Sequence, residues 1–314
     1  MPASRRPIDA FAAGTMVLLC AIWGAQQVVI KLAAPDVAPL LQVTVRSGLS
    51  ALLVAALELA RARRLPVRRS TVRAGLAAGA LFGVEFLFIG EGLRRTSASH
   101  MVVFLYTAPV FAALGLHLLV PGERLRRHQW GGVAVAFGGI AVAFLGGRAP
   151  GGAGAALAGD VLAVLAGAAW GATTVVVRTT ALSEAPATET LFWQLATGFA
   201  LLLAASLALG AGAHAALTPV AVASLVFQGV VVSFASYLAW FWLLRRYLAT
   251  RLSVFSFLTP IFGVAFGVLV LGEPVTPAFG LGAVLVLAGI TIVSGAGRAR
   301  GARRAEAPPI RSVD

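Results

Sequence analysis

Long apolar stretches, separated by short polar connections, occupy almost the whole chain. A helix needs roughly 20 apolar residues to cross about 30 Å of hydrocarbon. The pattern predicts an all-α integral membrane protein with ten transmembrane helices, at residues 11–32, 37–60, 73–93, 98–120, 129–147, 159–179, 187–209, 217–243, 250–271 and 277–296.

The apolar pattern occurs twice in the chain. Each copy holds five predicted spans, an odd number, so the second copy enters the membrane from the opposite side. This arrangement of two inverted five-helix repeats is typical of secondary transporters, which bind substrate between the halves. The shared segments are Trp23-Gly24 with Trp170-Gly171, Tyr106-Thr-Ala-Pro109 with Phe257-Leu-Thr-Pro260, and Gly122-Glu123 with Gly272-Glu273.

The spans and the repeat together divide the chain into five parts. They are a cytoplasmic N-terminal segment at 1–10, a first five-span copy at 11–147, a linker at 148–158, a second copy at 159–296 and a disordered cytoplasmic tail at 297–314.

Composition agrees with a membrane location. Hydrophobic residues make up 59% of the 314 residues and charged residues only 12%, with a mean hydropathy of +0.90, whereas soluble domains contain about 25% charged residues. Most Lys and Arg residues lie in connections on one side of the predicted bundle, which places both termini in the cytoplasm. The richness in Ala, Gly and Arg favours a bacterial inner membrane.

The same counts bear on partners and cofactors. The net charge of +13 comes from short Arg clusters that suit anionic lipid headgroups, and they lack the interleaved aromatic residues expected of a nucleic-acid surface. Cys20 is the only cysteine and histidines are few, so we expect no disulfide, no metal site and no cofactor. The expected partners are the bilayer and a small-molecule substrate, and a homodimer is left open.

Taken together, these motifs resemble the EamA family of the drug/metabolite transporter superfamily over roughly residues 11–296. The resemblance rests on the two Trp-Gly pairs, on Arg46 in the second span, and on both Pro…Gly-Glu segments. It implies a ten-helix bundle that moves small metabolites, such as amino acids or drug-like compounds, often outward. It does not fix the substrate.

Two charges stand out because they lie deep inside predicted spans, Arg46 in the second and Glu85 in the third. Counted from the span ends at 1.5 Å per residue, both lie near the membrane midplane. Buried charge is costly in a membrane, so either the two form a structural ion pair or one or both line the substrate path. In the second reading Arg46 holds a carboxylate or phosphate, and Glu85 binds an ammonium or a coupling proton. The counterpart of Glu85 in the repeat is Ser236, so symmetry does not require a carboxylate there.

Uncharged polar and aromatic residues widen the candidate set for substrate binding or coupling. An interhelical hydrogen bond is the alternative role for each polar one. Prolines within two spans are predicted to kink their helices and to act as hinges or as packing kinks. Glu123 and Glu273, at helix ends, are interpreted as loop or capping carboxylates rather than substrate ligands. The binding candidates are Gln26, Tyr106, Trp170, Gln194, Gln228 and Tyr237, and the hinge candidates are Pro109 and Pro260.

The sequence thus favours a secondary transporter, with export as the expected direction. A channel-like permease is one alternative, but charge rings are lacking. An intramembrane enzyme is another, but the sequence contains no Ser-His dyad, His-Glu-x-x-His motif or Asp cluster that could serve as a catalytic site.

Overall fold

The computed structural model describes the chain apart from its two ends and several short gaps. Within this part the regular elements are helices. The described residues are 9–63, 65–120, 124–145, 153–213, 215–247, 252 and 255–305.

Five α-helices form the first part of the chain, and their starts follow ordinary capping chemistry. The carboxylate of Asp9 accepts a hydrogen bond from the Ala12 amide at the start of α1, and the Ser97 hydroxyl accepts one from the His100 amide at the start of α4. The helices are α1 (Ala10–Leu32), α2 (Pro39–Ala62), α3 (Val72–Leu93, preceded by a 3₁₀ turn at Arg69–Thr71), α4 (Ala98–Leu105) and α5 (Ala108–Leu119).

Seven further α-helices complete the described chain. Between the fourth and fifth of them the chain continues as a π-helix at Phe227–Ser236, a rare form that is frequent at functional sites. The helices are α6 (Arg127–Leu145), α7 (Ala153–Thr179), α8 (Ala187–Ala208, after a 3₁₀ turn at Ala181–Glu184), α9 (Pro219–Val226), α10 (Tyr237–Arg246), α11 (Leu258–Leu271) and α12 (Pro277–Ala305).

The chain is a multi-pass membrane protein. Seven of the described helical segments are long and apolar enough to cross a bilayer. The other three predicted spans correspond to α6, α11 and the first part of α12.

Two helices extend beyond the spans predicted from the sequence. α7 begins at Ala153, inside the predicted linker 148–158, and α12 continues to Ala305, inside the tail predicted to be disordered. Both extensions are rich in Ala, which has the highest helix propensity, and the second also contains Arg. Residues 306–314 lie outside the described part.

Both sequence copies contain an interruption of the helix just before their proline. α4 ends at Leu105 and α5 begins at Ala108, so Pro109 occupies the second position of a new helix. Pro260 occupies the third position of α11 in the same way. The sequence predicts a kink within a continuous helix, and the structure has a break and a restart. A proline at a helix start leaves no amide unpaired and meets no preceding turn, which explains the difference.

Glycines allow the first helix of each sequence copy to approach a proline-started helix. A Cβ atom at Gly24 in α1 would lie only 2.8 Å from the amide nitrogen of Gly263 in α11. A Cβ atom at Gly171 in α7 would lie 2.8 Å from the amide nitrogen of Ala112 in α5. The aligned Trp-Gly pairs therefore make aligned contacts. Elsewhere α3 packs against α2, α7 and α8, and α6 pairs with α12.

Candidate functional site

Arg46 lies in α2 with its side chain completely buried. Its guanidinium carbon is 3.9 Å from the centre of the Phe86 ring in α3, a cation–π contact. All three of its side-chain nitrogens lack a hydrogen-bond partner among the residues the structure describes. Burying a guanidinium without hydrogen bonds is strongly unfavourable. The cation–π contact compensates only in part, because the N–H groups of Arg46 remain free to donate hydrogen bonds.

Glu85 precedes Phe86 in α3 and is also buried, with 6% of its surface exposed. It is close enough to Arg46 for the two charges to interact electrostatically, yet the two form no salt bridge. The carboxylate makes no hydrogen bond to any described residue either. The two side chains therefore lie near each other without being paired, which leaves both able to contact a third group.

Aromatic side chains from other helices surround this pair. Tyr237 in α10 lies near both Arg46 and Glu85. Tyr106, at the break between α4 and α5, is near Glu85, and its ring contacts the Trp170 ring edge-on at a centroid distance of 5.3 Å. The helix break positions Tyr106, because the backbone there belongs to neither helix. Five of the residues predicted from the sequence thus meet in one place.

Gln228 takes part in an interhelical hydrogen-bond network, although its own Oε1 atom is buried without a partner among the described residues. Its side-chain amide donates to the Oε1 atom of Gln42 and to the Ser224 hydroxyl, both at 2.8 Å. Gln42 in turn donates to the backbone oxygens of Ile30 and Val37. Gln228 therefore joins the π-helix to α2, which is the alternative role considered for it.

Two further glutamines have no assigned contact. Gln26 in α1 is buried and Gln194 in α8 is half-buried, and neither forms a hydrogen bond within the described part of the chain.

Ser236, which aligns with Glu85, has a different environment. The Trp23 indole N–H donates a hydrogen bond of 2.8 Å to the Ser236 hydroxyl. Trp170 aligns with Trp23, but no corresponding hydrogen bond joins Trp170 to Glu85 among the described side chains. The two tryptophans therefore make different polar contacts although their neighbouring glycines pack alike.

One polar cluster was missed in the sequence. Asp160 in α7 is buried, accepts a hydrogen bond from the Thr96 hydroxyl and lies 2.9 Å from Nδ1 of His100 in α4. The His100 ring stacks on Phe279 at a centroid distance of 4.0 Å. An acidic residue at the start of an apolar stretch was the available signal, but partners so distant in sequence could not be read from one chain.

The reading of Glu273 as a capping carboxylate is confirmed. Its carboxylate accepts hydrogen bonds from the Ala98 and Ser99 amides, at 2.7 and 2.9 Å, at the first turn of α4. Glu123 lies outside the described residues.

Comparisons with known proteins agree on a family. A model of the EamA-like transporter family matches residues 10–145 and again residues 157–295. The chain is 25% identical over 270 residues to the uncharacterized transporter YoaV of Bacillus subtilis, covering 86% of this chain and 91% of that protein. It is 28% identical over 288 residues to a probable amino-acid metabolite efflux pump of Salmonella typhimurium, covering 88% and 92%.

A solved crystal structure has the same fold. It aligns with a TM-score of 0.61 over 95% of this chain and 98% of its own, at 21% sequence identity. At that identity the likeness extends to the fold alone.

Proposed function

The chain belongs to the EamA-like transporter family, and from this premise we propose that it is a secondary transporter that exports small metabolites by alternating access across the bacterial inner membrane. Family membership and relatives named as transporters make it a transporter and not an enzyme. Export of amino acids or similar compounds is supported by the relative named an amino-acid metabolite efflux pump.

We infer that ten spans form two inverted repeats, with both termini in the cytoplasm. The double match of the family model and the aligned contacts of Gly24 and Gly171 support the repeat. The asymmetry of Lys and Arg supports the orientation. The helix breaks before Pro109 and Pro260 lie at aligned positions, where they serve as the hinges of the two halves.

The observation that carries the proposal is the unpaired state of Arg46 and Glu85. A substrate carboxylate or phosphate would satisfy the Arg46 nitrogens, which the protein leaves without partners. An ammonium group or a coupling proton would neutralise Glu85. Tyr106, Trp170 and Tyr237 would form the walls around the apolar part of the substrate.

The test begins with a metabolite survey of cells that overexpress the protein or lack it. A compound whose export changes is then measured in proteoliposomes, by uptake against its concentration and by counterflow. A secondary transporter gives saturable flux and accelerated exchange of labelled compound. Flux that rises linearly without counterflow would replace the proposal with a channel-like permease, and chemical conversion of the compound would contradict both.

Glu85→Gln is the variant that ties activity to the site. The protein should still elute as a folded species in detergent while counterflow is lost. Counterflow at the wild-type rate in this variant would remove Glu85 from the mechanism without removing the transporter assignment.

A further inference from the structure

We propose that Asp160, with Thr96 and His100, forms a gate contact at one face of the bundle, and that Asp9 with Tyr247 forms its counterpart at the other. The inference rests on the proposed alternating-access function. The Asp160 face is defined by the ends of α1 and α3 and the starts of α4 and α7. The Asp9 face is defined by the start of α1 and the end of α10.

At the Asp160 face, one buried carboxylate joins three elements. Asp160 has 1% of its surface exposed. It accepts the Thr96 hydroxyl from the connection between α3 and α4, and it faces the His100 ring of α4 at 2.9 Å. A Cβ atom at the preceding Gly159 would lie 2.7 Å from the Thr96 amide nitrogen. The backbones can approach this closely only because residue 159 is glycine.

The opposite face carries an aligned contact. The alignment that places Pro109 on Pro260 also places Thr96 on Tyr247. The Tyr247 hydroxyl donates a hydrogen bond of 2.8 Å to Oδ2 of Asp9. In both cases a hydroxyl after the third span of one sequence copy bonds a carboxylate at the start of the first helix of the other copy.

The position of the carboxylate differs by one helical turn. Trp23 aligned on Trp170 places Asp160 on Ala13, and Asp9 lies four residues before Ala13. Asp9 is the N-cap residue of α1 and has an extended backbone, so it lies about one helical turn before the position that aligns with Asp160. Both contacts therefore join the first helix of one copy to the segment after the third span of the other, although the acidic residues are not at strictly aligned positions.

Alternating access requires such contacts to break in turn. Each hydroxyl–carboxylate bond crosses between the two sequence copies, so opening a face by moving one copy against the other must separate it. Both contacts are formed in this structure. Hydrogen bonds within either copy do not have this property. Other hydroxyl–carboxylate bonds also cross between the copies, such as Thr218 to Asp36 and Thr71 to Glu189. The two gate contacts are singled out because their hydroxyls are at aligned positions and each bonds the first helix of the other copy.

Burial differs between the two contacts and predicts which opens first. Asp160 is buried and Thr96 is 3% exposed, whereas Asp9 is exposed. Water competes for the Asp9 carboxylate, while the Asp160 bond is shielded and therefore stronger. Of these two contacts, we therefore expect the Asp9 contact to open more readily. It lies on the cytoplasmic face in the proposed orientation, where Arg68 and Thr71 also bond the buried Glu189 across the copies.

The test uses two matched variants that each remove one hydroxyl, Thr96→Val and Tyr247→Phe, in the full-length protein in lipid nanodiscs. Hydrogen–deuterium exchange is followed at 94–101 for the Asp160 face and at 243–247 for the Asp9 face. Thr96→Val should speed exchange at 94–101, on the order of tenfold for one lost bond to a charged group, and slow it at 243–247. Tyr247→Phe should do the reverse.

Thr173→Val is the control, because the Thr173 hydroxyl is buried in α7 but bonds only the Ala169 oxygen of its own helix. It should change neither face. The gate assignment would be overturned if a variant sped exchange only at its own face, sped it at both faces, or changed neither. The two contacts would then be ordinary packing contacts. Wild-type counterflow is measured separately, so its absence would contradict the proposed function while reciprocal exchange would still support coupled faces.

Discussion

The first helices of the two sequence copies agree in their glycines and differ in their tryptophans. Gly24 and Gly171 each admit a proline-started helix at backbone contact distance. Trp23 donates its indole hydrogen to Ser236, whereas Trp170 packs on Tyr106 near an unbonded Glu85. Close packing is shared because it holds the bundle together. The polar contacts of the aligned residues differ, which supports the proposal that substrate is bound by the positions that the copies do not share.

The largest expected effect on transport comes from replacing Glu85, which has no carboxylate counterpart in the second copy. Glu85→Gln should reduce counterflow by roughly 10–150-fold, since a hydrogen bond to a charged group contributes about 1.5–3 kcal/mol. Ser236→Ala, at the aligned position, is the matched control and should retain most of the flux. Rates are compared in proteoliposomes at equal protein content. Equal losses in the two variants would contradict the distinction between the positions.

The second largest effect concerns stability and the two glycines that the copies share, Gly24 and Gly171. Gly24→Ala and Gly171→Ala should each lower the free energy of unfolding by about 1–3 kcal/mol, as overpacked cores do, because the added methyl group meets backbone atoms of α11 or α5. Gly14→Ala is the control, since a Cβ atom there has nothing within 4 Å. Thermal unfolding in detergent measures all three. If Gly171→Ala lowered the stability and Gly24→Ala did not, the two contacts would not be equivalent.

These contacts also show how far a sequence can be read. Apolar stretches predict helices because membrane thickness sets their length, and aligned motifs such as Trp-Gly predict aligned packing. The meeting of Arg46 with Glu85 followed from counting residues to a common depth. Helix positions, aligned packing and the proximity of Arg46 to Glu85 all depend on spacing along the chain, which can be read from the sequence.

Other features depend on contacts between distant segments and escaped prediction. The Asp160 cluster joins α7 to Thr96 and His100, which lie 64 and 60 residues earlier in the sequence. The role of Gln228 depends on Gln42, and its bond to that residue could not be distinguished from a place on the substrate path. The break before Pro109 was expected as a kink, because the sequence shows the missing amide but not whether neighbouring helices support two separate helix ends.

Arg46→Lys should have a smaller effect than Glu85→Gln. Lysine keeps the positive charge but loses the planar face that stacks on Phe86 and the paired donors suited to a carboxylate. We expect the half-saturation concentration to rise roughly tenfold, which corresponds to about 1.4 kcal/mol, with less change in maximal rate. An unchanged half-saturation value, with lower stability instead, would indicate that Arg46 acts in packing rather than in binding.

The smallest effect should separate the two tryptophans. Trp23→Phe removes the donor to Ser236 and should lower the free energy of unfolding by about 0.5–1.5 kcal/mol, the contribution of an ordinary hydrogen bond. Trp170→Phe removes no hydrogen bond to a described residue, so its loss of stability should be smaller, while its effect on transport should be larger because Trp170 lies against Tyr106. Unfolding and counterflow are measured on both variants. If the variant that loses more stability also loses more transport, the two tryptophans differ only in packing. The distinction between a shared scaffold and unshared binding residues would then not apply to Trp23 and Trp170.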